Sequence, residues 1–196
     1  MKRTVLAAAV ALGMVASSAM AATHYEERKD TSVFVKGGIG GYTGGLSDFT
    51  AAGPVWGVGV DLSPMRALGI ELNYDGSRNA LTDNRIAGSE AALRNGASAM
   101  LKIAPPLIDR IKPYIGAGLG ASYVSIQGDG QGLYRNDLME EVPLAAGLDF
   151  NSGALTAGFR AGYNILVDQG FADNAQANGN PNGSLIHMAA TLGGRF

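Results

Sequence analysis

The sequence predicts an all-β fold, an eight-stranded antiparallel up-and-down barrel, on three observations. The last 13 residues, Ser184 to Phe196, alternate: Met188, Ala190, Leu192, Gly194 and Phe196 share one parity, and His187, Thr191 and Arg195 share the other. Seven earlier segments repeat this alternation between clusters of turn residues, in a chain with 29 Gly and 7 Pro. The connections between the eight segments alternate short and long, matching a meander with short turns at one end and long loops at the other.

The chain opens on Met1-Lys2-Arg3, a positive start, followed by the apolar run Thr4 to Ala16 and the small-x-small triplet Ala19-Met20-Ala21. This is the pattern of a cleaved secretory signal peptide over residues 1–21, with the mature chain starting at Ala22. The apolar run falls well short of the roughly 20 residues a spanning helix needs. A short lead-in over 22–31 then precedes the barrel, expected over 32–196. With 0 Cys there is no thiol for a lipid anchor or a disulfide, so stability must come from strand pairing and packing. Cleavage removes Lys2 and Arg3 from 15 basic residues, leaving 13 − 17 = −4, a balance that offers nothing to nucleic acid.

Each strand follows from its parity. Strand 1, Ser32 to Thr43, sets Val33, Val35 and Ile39 against Lys36, Gly38, Gly40 and Tyr42. Strand 2, Pro54 to Leu62, sets Trp56, Val58, Val60 and Leu62 against Gly57, Gly59 and Asp61. Strand 3, Ala67 to Asp75, sets Leu68, Ile70, Leu72 and Tyr74 against Gly69, Glu71 and Asn73. Strand 4, Leu93 to Ala104, sets Ala97, Ala99, Leu101 and Ile103 against Arg94, Gly96, Ser98 and Lys102. Strand 5, Lys112 to Ile126, sets Ile115, Ala117, Leu119, Ala121 and Tyr123 against Tyr114, glycines and Ser122. Strand 6, Val142 to Phe150, sets Val142, Leu144, Ala146, Leu148 and Phe150 against Ala145, Gly147 and Asp149. Strand 7, Ala154 to Val167, sets Leu155, Ala157, Phe159, Ala161, Tyr163, Ile165 and Val167 against Thr156, Gly158, Arg160, Gly162 and Asn164. Val55, Met100, Val124, Leu166 and Leu185 interrupt the polar face, mostly near strand ends, and read as slips of phase.

A soluble sandwich also alternates, so the decisive point is which face is packed inside. The apolar face carries the large side chains, and the other mixes Gly with Lys, Arg, Asp and Glu. Eight oily faces in succession, a secretion signal and a terminal aromatic point to lipid outside and a charged lumen inside, which makes the barrel a transmembrane one. No uninterrupted apolar run after residue 21 reaches spanning length, so any crossing is by strands. Short connections (63–66, 105–111, 151–153) are expected as periplasmic turns and long ones (44–53, 76–92, 127–141, 168–183) as extracellular loops. Trp56, Tyr74 and Tyr123 then lie near the outer ends of their strands and Phe150 and Phe196 near the inner ends, as interfacial girdles.

Pro113-Tyr-Ile-Gly-Ala-Gly-Leu-Gly in strand 5, Phe34-Val-Lys-Gly-Gly-Ile-Gly-Gly-Tyr42 in strand 1 and the terminal Gly194-Arg-Phe196 carry a resemblance. On these residues the chain resembles the small eight-stranded outer-membrane barrels of the OmpA, OmpX and OmpW kind, the outer-membrane β-barrel domain family, over nearly all of its mature length. The resemblance implies a monomer in the outer membrane of a Gram-negative bacterium, with lipid and the barrel-assembly machinery as partners and Phe196 as part of the assembly signal. It implies architecture and no particular activity.

The chemistry lies in the inward charges: Lys36, Lys102, Arg160 and Arg195 against Asp61, Glu71 and Asp149, with Arg94 nearer the outer end. An eight-stranded barrel is just wide enough for side chains to fill it, so such charges must pair or hold water, either as a fixed plug or as a gate. Matching depth by strand order groups Asp61, Glu71 and Lys102 on strands 2, 3 and 4, and places Asp149 beside Arg160 and Arg195 beside Lys36. The glycine runs at Gly37 to Gly41 and Gly116 to Gly120 open no helix and so cradle no phosphate; they make room for Tyr42 and Tyr114. His24 lies in the lead-in and His187 faces the lumen, neither poised with a nucleophile at a lipid-accessible face. Asp129, Glu140 and Glu141 in the third loop and Asp168 and Asp173 in the fourth match no calcium-loop spacing, and Ser89 to Leu93 suits a short helical turn. The expected function is a structural or general envelope role with no catalysis, no cofactor and no metal. The alternatives are a narrow porin-like channel for small or apolar solutes, a loop-based adhesin or receptor, and a lipid-modifying enzyme.

Overall fold

The computed structural model describes residues 30–65, 67–82, 90–105, 110–128, 136–167 and 183–196. Eight strands, β1 (Asp30–Tyr42), β2 (Gly53–Met65), β3 (Leu68–Ala80), β4 (Ala91–Ile103), β5 (Ile111–Gln127), β6 (Asp137–Ser152), β7 (Leu155–Val167) and β8 (Ser184–Arg195), form a closed barrel in chain order. Every neighbouring pair is antiparallel, and β1 closes on β8 with Ser32 opposite Arg195 and Tyr42 opposite Leu185. Closure leaves no sheet edge with unpaired amides, the condition for strands to stand in hydrocarbon. Residues 1–29, which include the expected signal peptide and His24, lie outside the described residues, as do Asp129, Asp168 and Asp173.

The expected alternation appears as burial. Val35, Leu119, Phe159 and Met188 project outward at 56 to 74% exposure, while Lys36, Glu71, Lys102 and Arg160 face in and are buried. The barrel is inverted relative to a soluble one, with oil outside and charge inside.

The register fixes the stagger. Followed through β2, β3 and β4, the ladder from Gly37 passes Trp56, Gly76 and Asn95 and reaches Tyr123 on β5. Followed the other way, it passes Ala190, Phe159 and Leu148 and reaches Pro113 on the same strand. The shear is therefore 123 − 113 = 10, and the strands are strongly tilted to the axis. Rows of paired residues climb around the barrel, so residues at one height come from widely separated rows.

Several sequence expectations are corrected. β6 begins at Asp137, so Glu140 and Glu141 belong to a strand and not to the third loop. Ala91 to Leu93 are the start of β4 and not a helical turn, Ser89 lying outside the described residues. β3 continues to Ala80, which shortens the second long connection. Met100, Val124, Leu166 and Leu185 are not slips of phase but buried inward residues. The first long connection contains a 3-10 helix, Gly44–Asp48, that no pattern in the sequence announced.

Candidate functional site

The lumen is the candidate site, because there the barrel gathers groups that are costly to bury. We call the end carrying the chain termini the terminal end and the opposite end the loop end. From the loop end downward the interior is layered.

The uppermost layer is apolar. Leu46, on the 3-10 helix, packs with Tyr42, Ala92, Val124, Ile126, Met139, Leu166 and Leu185, with Phe49 and Leu81 against them. Leu46 and Leu185 are 1% exposed and Val124 and Met139 0%. Below it β4 and β6 bring Arg94 and Glu141 together. Arg94 Nε donates to Glu141 Oε1 at 2.7 Å and its Nη2 bonds the second oxygen, a fork that satisfies both partners. Ser122 Oγ also donates to that carboxylate, and Asn164 Nδ2 donates to it at 2.8 Å.

The next two layers share β1, β3, β5 and β7. Lys36 Nζ lies 2.5 Å from Asp75 Oδ1 and donates to Asn73 Oδ1 at 3.2 Å. Asn73 Nδ2 passes the chain on to Glu71 Oε1 at 2.8 Å. Glu71, 0% exposed, accepts both bonds of Arg160 Nη2, at 2.6 and 2.5 Å, across the lumen from β7. Arg160 Nε donates to Tyr114 Oη at 2.8 Å, and the guanidinium lies over the Tyr114 and Phe34 rings. These rings fit because glycine faces them. A Cβ at Gly59 would stand 2.3 Å from the Phe34 ring, and one at Gly147 would stand 2.6 Å from Tyr114 Oη.

Lowest is Lys102, whose Nζ reaches Asp61 at 2.7 Å, Asp149 at 2.8 Å and Glu71 at 3.6 Å, with the Tyr114 ring centroid at 3.9 Å. One ammonium thus serves three carboxylates. Beneath it a polar cavity of about 40 Å³, lined by Asp61, Lys102, Lys112, Asp149 and Arg195 among others, faces the terminal end. A second cavity of about 10 Å³, beside Lys36, Asp75, Arg94 and His187, has room for about one water.

The structure therefore brings Lys36, Asp61, Glu71, Lys102, Asp149 and Arg160 into one connected set, in which Lys102 meets Asp61 and Glu71 as expected while Arg160 and Lys36 take other partners. Arg160 meets Glu71, not Asp149: its ladder partner is Gly147, two residues from Asp149. Lys36 meets Asp75, not Arg195. The ladder partner of Lys36 on β8 is Thr191, and Arg195 sits opposite Ser32 beside the lower cavity. Sequence reasoning missed Asp75, taken as a strand end, and Glu141, taken as a loop acid. The inward parity of Asp149, Gly147 and Ala145, continued four residues back from Ala145 and one beyond the expected strand start, was the signal that would have found Glu141.

Outside, Trp56, Tyr74 and Phe150 are 37 to 40% exposed, Tyr123 is half-buried and Phe196 is 78% exposed. Trp56 lies over Gly76, and Tyr74 Oη donates to Asn95 Oδ1 at 3.1 Å. The Phe196 amide donates to the Thr31 carbonyl at 2.8 Å, so the last residue is tied into the seam between β8 and β1.

With a closed eight-stranded barrel, an apolar exterior and a charge-paired lumen in place, the sequence comparison decides the family. The outer membrane protein beta-barrel domain matches residues 7–195, nearly the whole chain. The chain belongs to that family. Membership places this outer-membrane barrel in the envelope of a Gram-negative bacterium. No curated protein matches the chain. Among solved structures, Neisserial surface protein A is similar at 14% identity and a TM-score of 0.62, covering 85% of this chain and 97% of that one. The attachment invasion locus protein Ail of Yersinia pestis is similar at 11% identity and a TM-score of 0.57, covering 87% and 100%. OprG from Pseudomonas aeruginosa is similar at 9% identity and a TM-score of 0.55, covering 88% and 99%. At such identities the likeness is one of fold.

Proposed function

We propose that this outer-membrane barrel is closed at rest and serves the envelope structurally, without catalysis. Its termini are periplasmic, its long connections extracellular, and its partners are outer-membrane lipid and the machinery that reads the strand ending at Phe196. The observation that carries the reading is the stack of paired charges across the lumen, in which Arg94 with Glu141, Lys36 with Asp75, Arg160 with Glu71 and Lys102 with Asp61 and Asp149 fill four successive levels. Breaking such a pair strands a buried charge at about 3 to 5 kcal/mol, so a filled lumen favours the closed state. The non-catalytic reading is supported by His187, which faces inward with its ring against Gly162 and lines the small inner cavity, away from the lipid face. The test is refolded protein in planar bilayers: a quiet baseline is expected, and sustained conductance by the wild-type protein would overturn a lumen closed at rest.

A second reading, a narrow channel that opens rarely, is favoured by one feature. Lys102 has three carboxylates within 3.6 Å, so it can exchange partners without being stranded. Brief openings on an otherwise quiet baseline are its mark.

A further inference from the structure

The first long connection is held over the mouth of the barrel at both of its ends. Where β1 ends, the Thr43 amide donates to the Ser184 carbonyl at 2.8 Å, and the Thr43 hydroxyl accepts from the Ser184 amide at 3.1 Å. Gly44 follows at φ +63°, a left-handed conformation that glycine adopts without strain, and turns the chain across the opening. On the far side the Ala51 amide donates to the Ala80 carbonyl at 2.8 Å and the Thr82 amide to the Phe49 carbonyl at 2.9 Å. Between these anchors the segment meets the barrel through Leu46, the buried residue of its 3-10 helix.

What Leu46 covers gives the contact its meaning. Val124 in the apolar layer is the ladder partner of Arg94, and Leu166 is the ladder partner of Glu141. The apolar layer and the uppermost ion pair are thus built from the same rungs, oil on one side of each rung and charge on the other. An apolar constriction in a narrow pore excludes water and blocks ions even where a path is geometrically open. Neither Glu71 nor Arg160 belongs to the cluster packed around Leu46, so the Glu71–Arg160 pair is set apart from the apolar layer.

We infer that Leu46 is an apolar stopper at the loop end, in series with the ionic stack, so that the lumen admits water and ions along its length only when both barriers open. This rests on the reading of a lumen closed at rest. It assigns the first connection a gating role at a site chemically unlike the ionic one.

The test combines Leu46→Ser, Glu71→Gln and the double variant in planar bilayers, each checked first for the heat-sensitive gel mobility of a folded barrel. Each single variant should stay near the wild-type baseline. The double variant should pass more current than either by on the order of tenfold or more, because the apolar barrier and the central pair of the ionic stack are loosened together. A double variant no more conductive than the better single one overturns the inference. Wild-type protein that conducts by itself instead overturns the closed-lumen reading. A second measurement is independent of conductance. The chain has 0 Cys, so Ala92→Cys, in the apolar layer and 1% exposed, is a unique thiol. Its reaction with a charged methanethiosulfonate should quicken by on the order of tenfold when Leu46→Gly is added, as for any buried group exposed by local opening. Equal rates with and without Leu46 overturn the stopper.

Discussion

The Glu71 and Arg160 pair permits a quantitative test, because each partner's remaining contacts are known. Arg160→Gln removes two bonds of 2.5 to 2.6 Å from a carboxylate that is 0% exposed. What stays with Glu71 is Asn73 Nδ2 at 2.8 Å and Lys102 Nζ at 3.6 Å. Stranding a buried charge costs about 3 to 5 kcal/mol, and a lysine able to close the last ångström recovers part, which puts Arg160→Gln near the lower figure. Glu71→Gln leaves the guanidinium with Tyr114 Oη as its neutral partner, while Lys102 keeps Asp61 and Asp149, so this variant belongs nearer the upper figure. The double variant places two neutral amides where the ions were and should cost well under the sum, with a coupling energy of about 2 kcal/mol or more. The assay is urea unfolding in lipid vesicles followed by fluorescence. The chain has 1 Trp, Trp56, and it stands on the outer surface away from the substitutions. Additivity within about 0.5 kcal/mol would refute the claim that these two side chains form one buried pair.

Other expectations follow from the same layering. Leu101→Arg, on an outward side chain 58% exposed, should destabilise the barrel in vesicles by about 2 to 4 kcal/mol if it lies near the bilayer midplane, and tolerance there would contradict the phase of β4. Met139→Ala, at 0% exposure in the apolar layer, should cost about 2 to 5 kcal/mol in the same unfolding assay, and a loss within error would mean that layer is loosely packed. Gly59→Leu places a side chain where Phe34 already stands and should cost about 1 to 3 kcal/mol or prevent folding; restoration by adding Phe34→Ala would identify the clash as the cause.

The sequence by itself determined the number of strands and which face of each meets lipid. Both follow from a period of two, a local property that survives errors of several residues at a boundary. Val33 and Val35 outward with Lys36 inward, or Leu72 and Tyr74 against Glu71 and Asn73, are fixed by parity once a strand is present. The set of inward charges was legible for the same reason, apart from Asp75 and Glu141, which fell where the strand ends were misplaced. Only the tertiary structure decided who pairs with whom. Parity says in or out, and height in the lumen depends on the register of every rung, which accumulates around the barrel to a shear of 10. That stagger lowers Arg195 four residues below the rung of Lys36 and raises Arg160 to face Glu71 from the opposite wall. The cap was equally hidden. Nothing in Gly44 to Asp48 marks Leu46 as buried, because its burial comes from an opening that exists only after eight strands, distant in sequence, have closed into a ring.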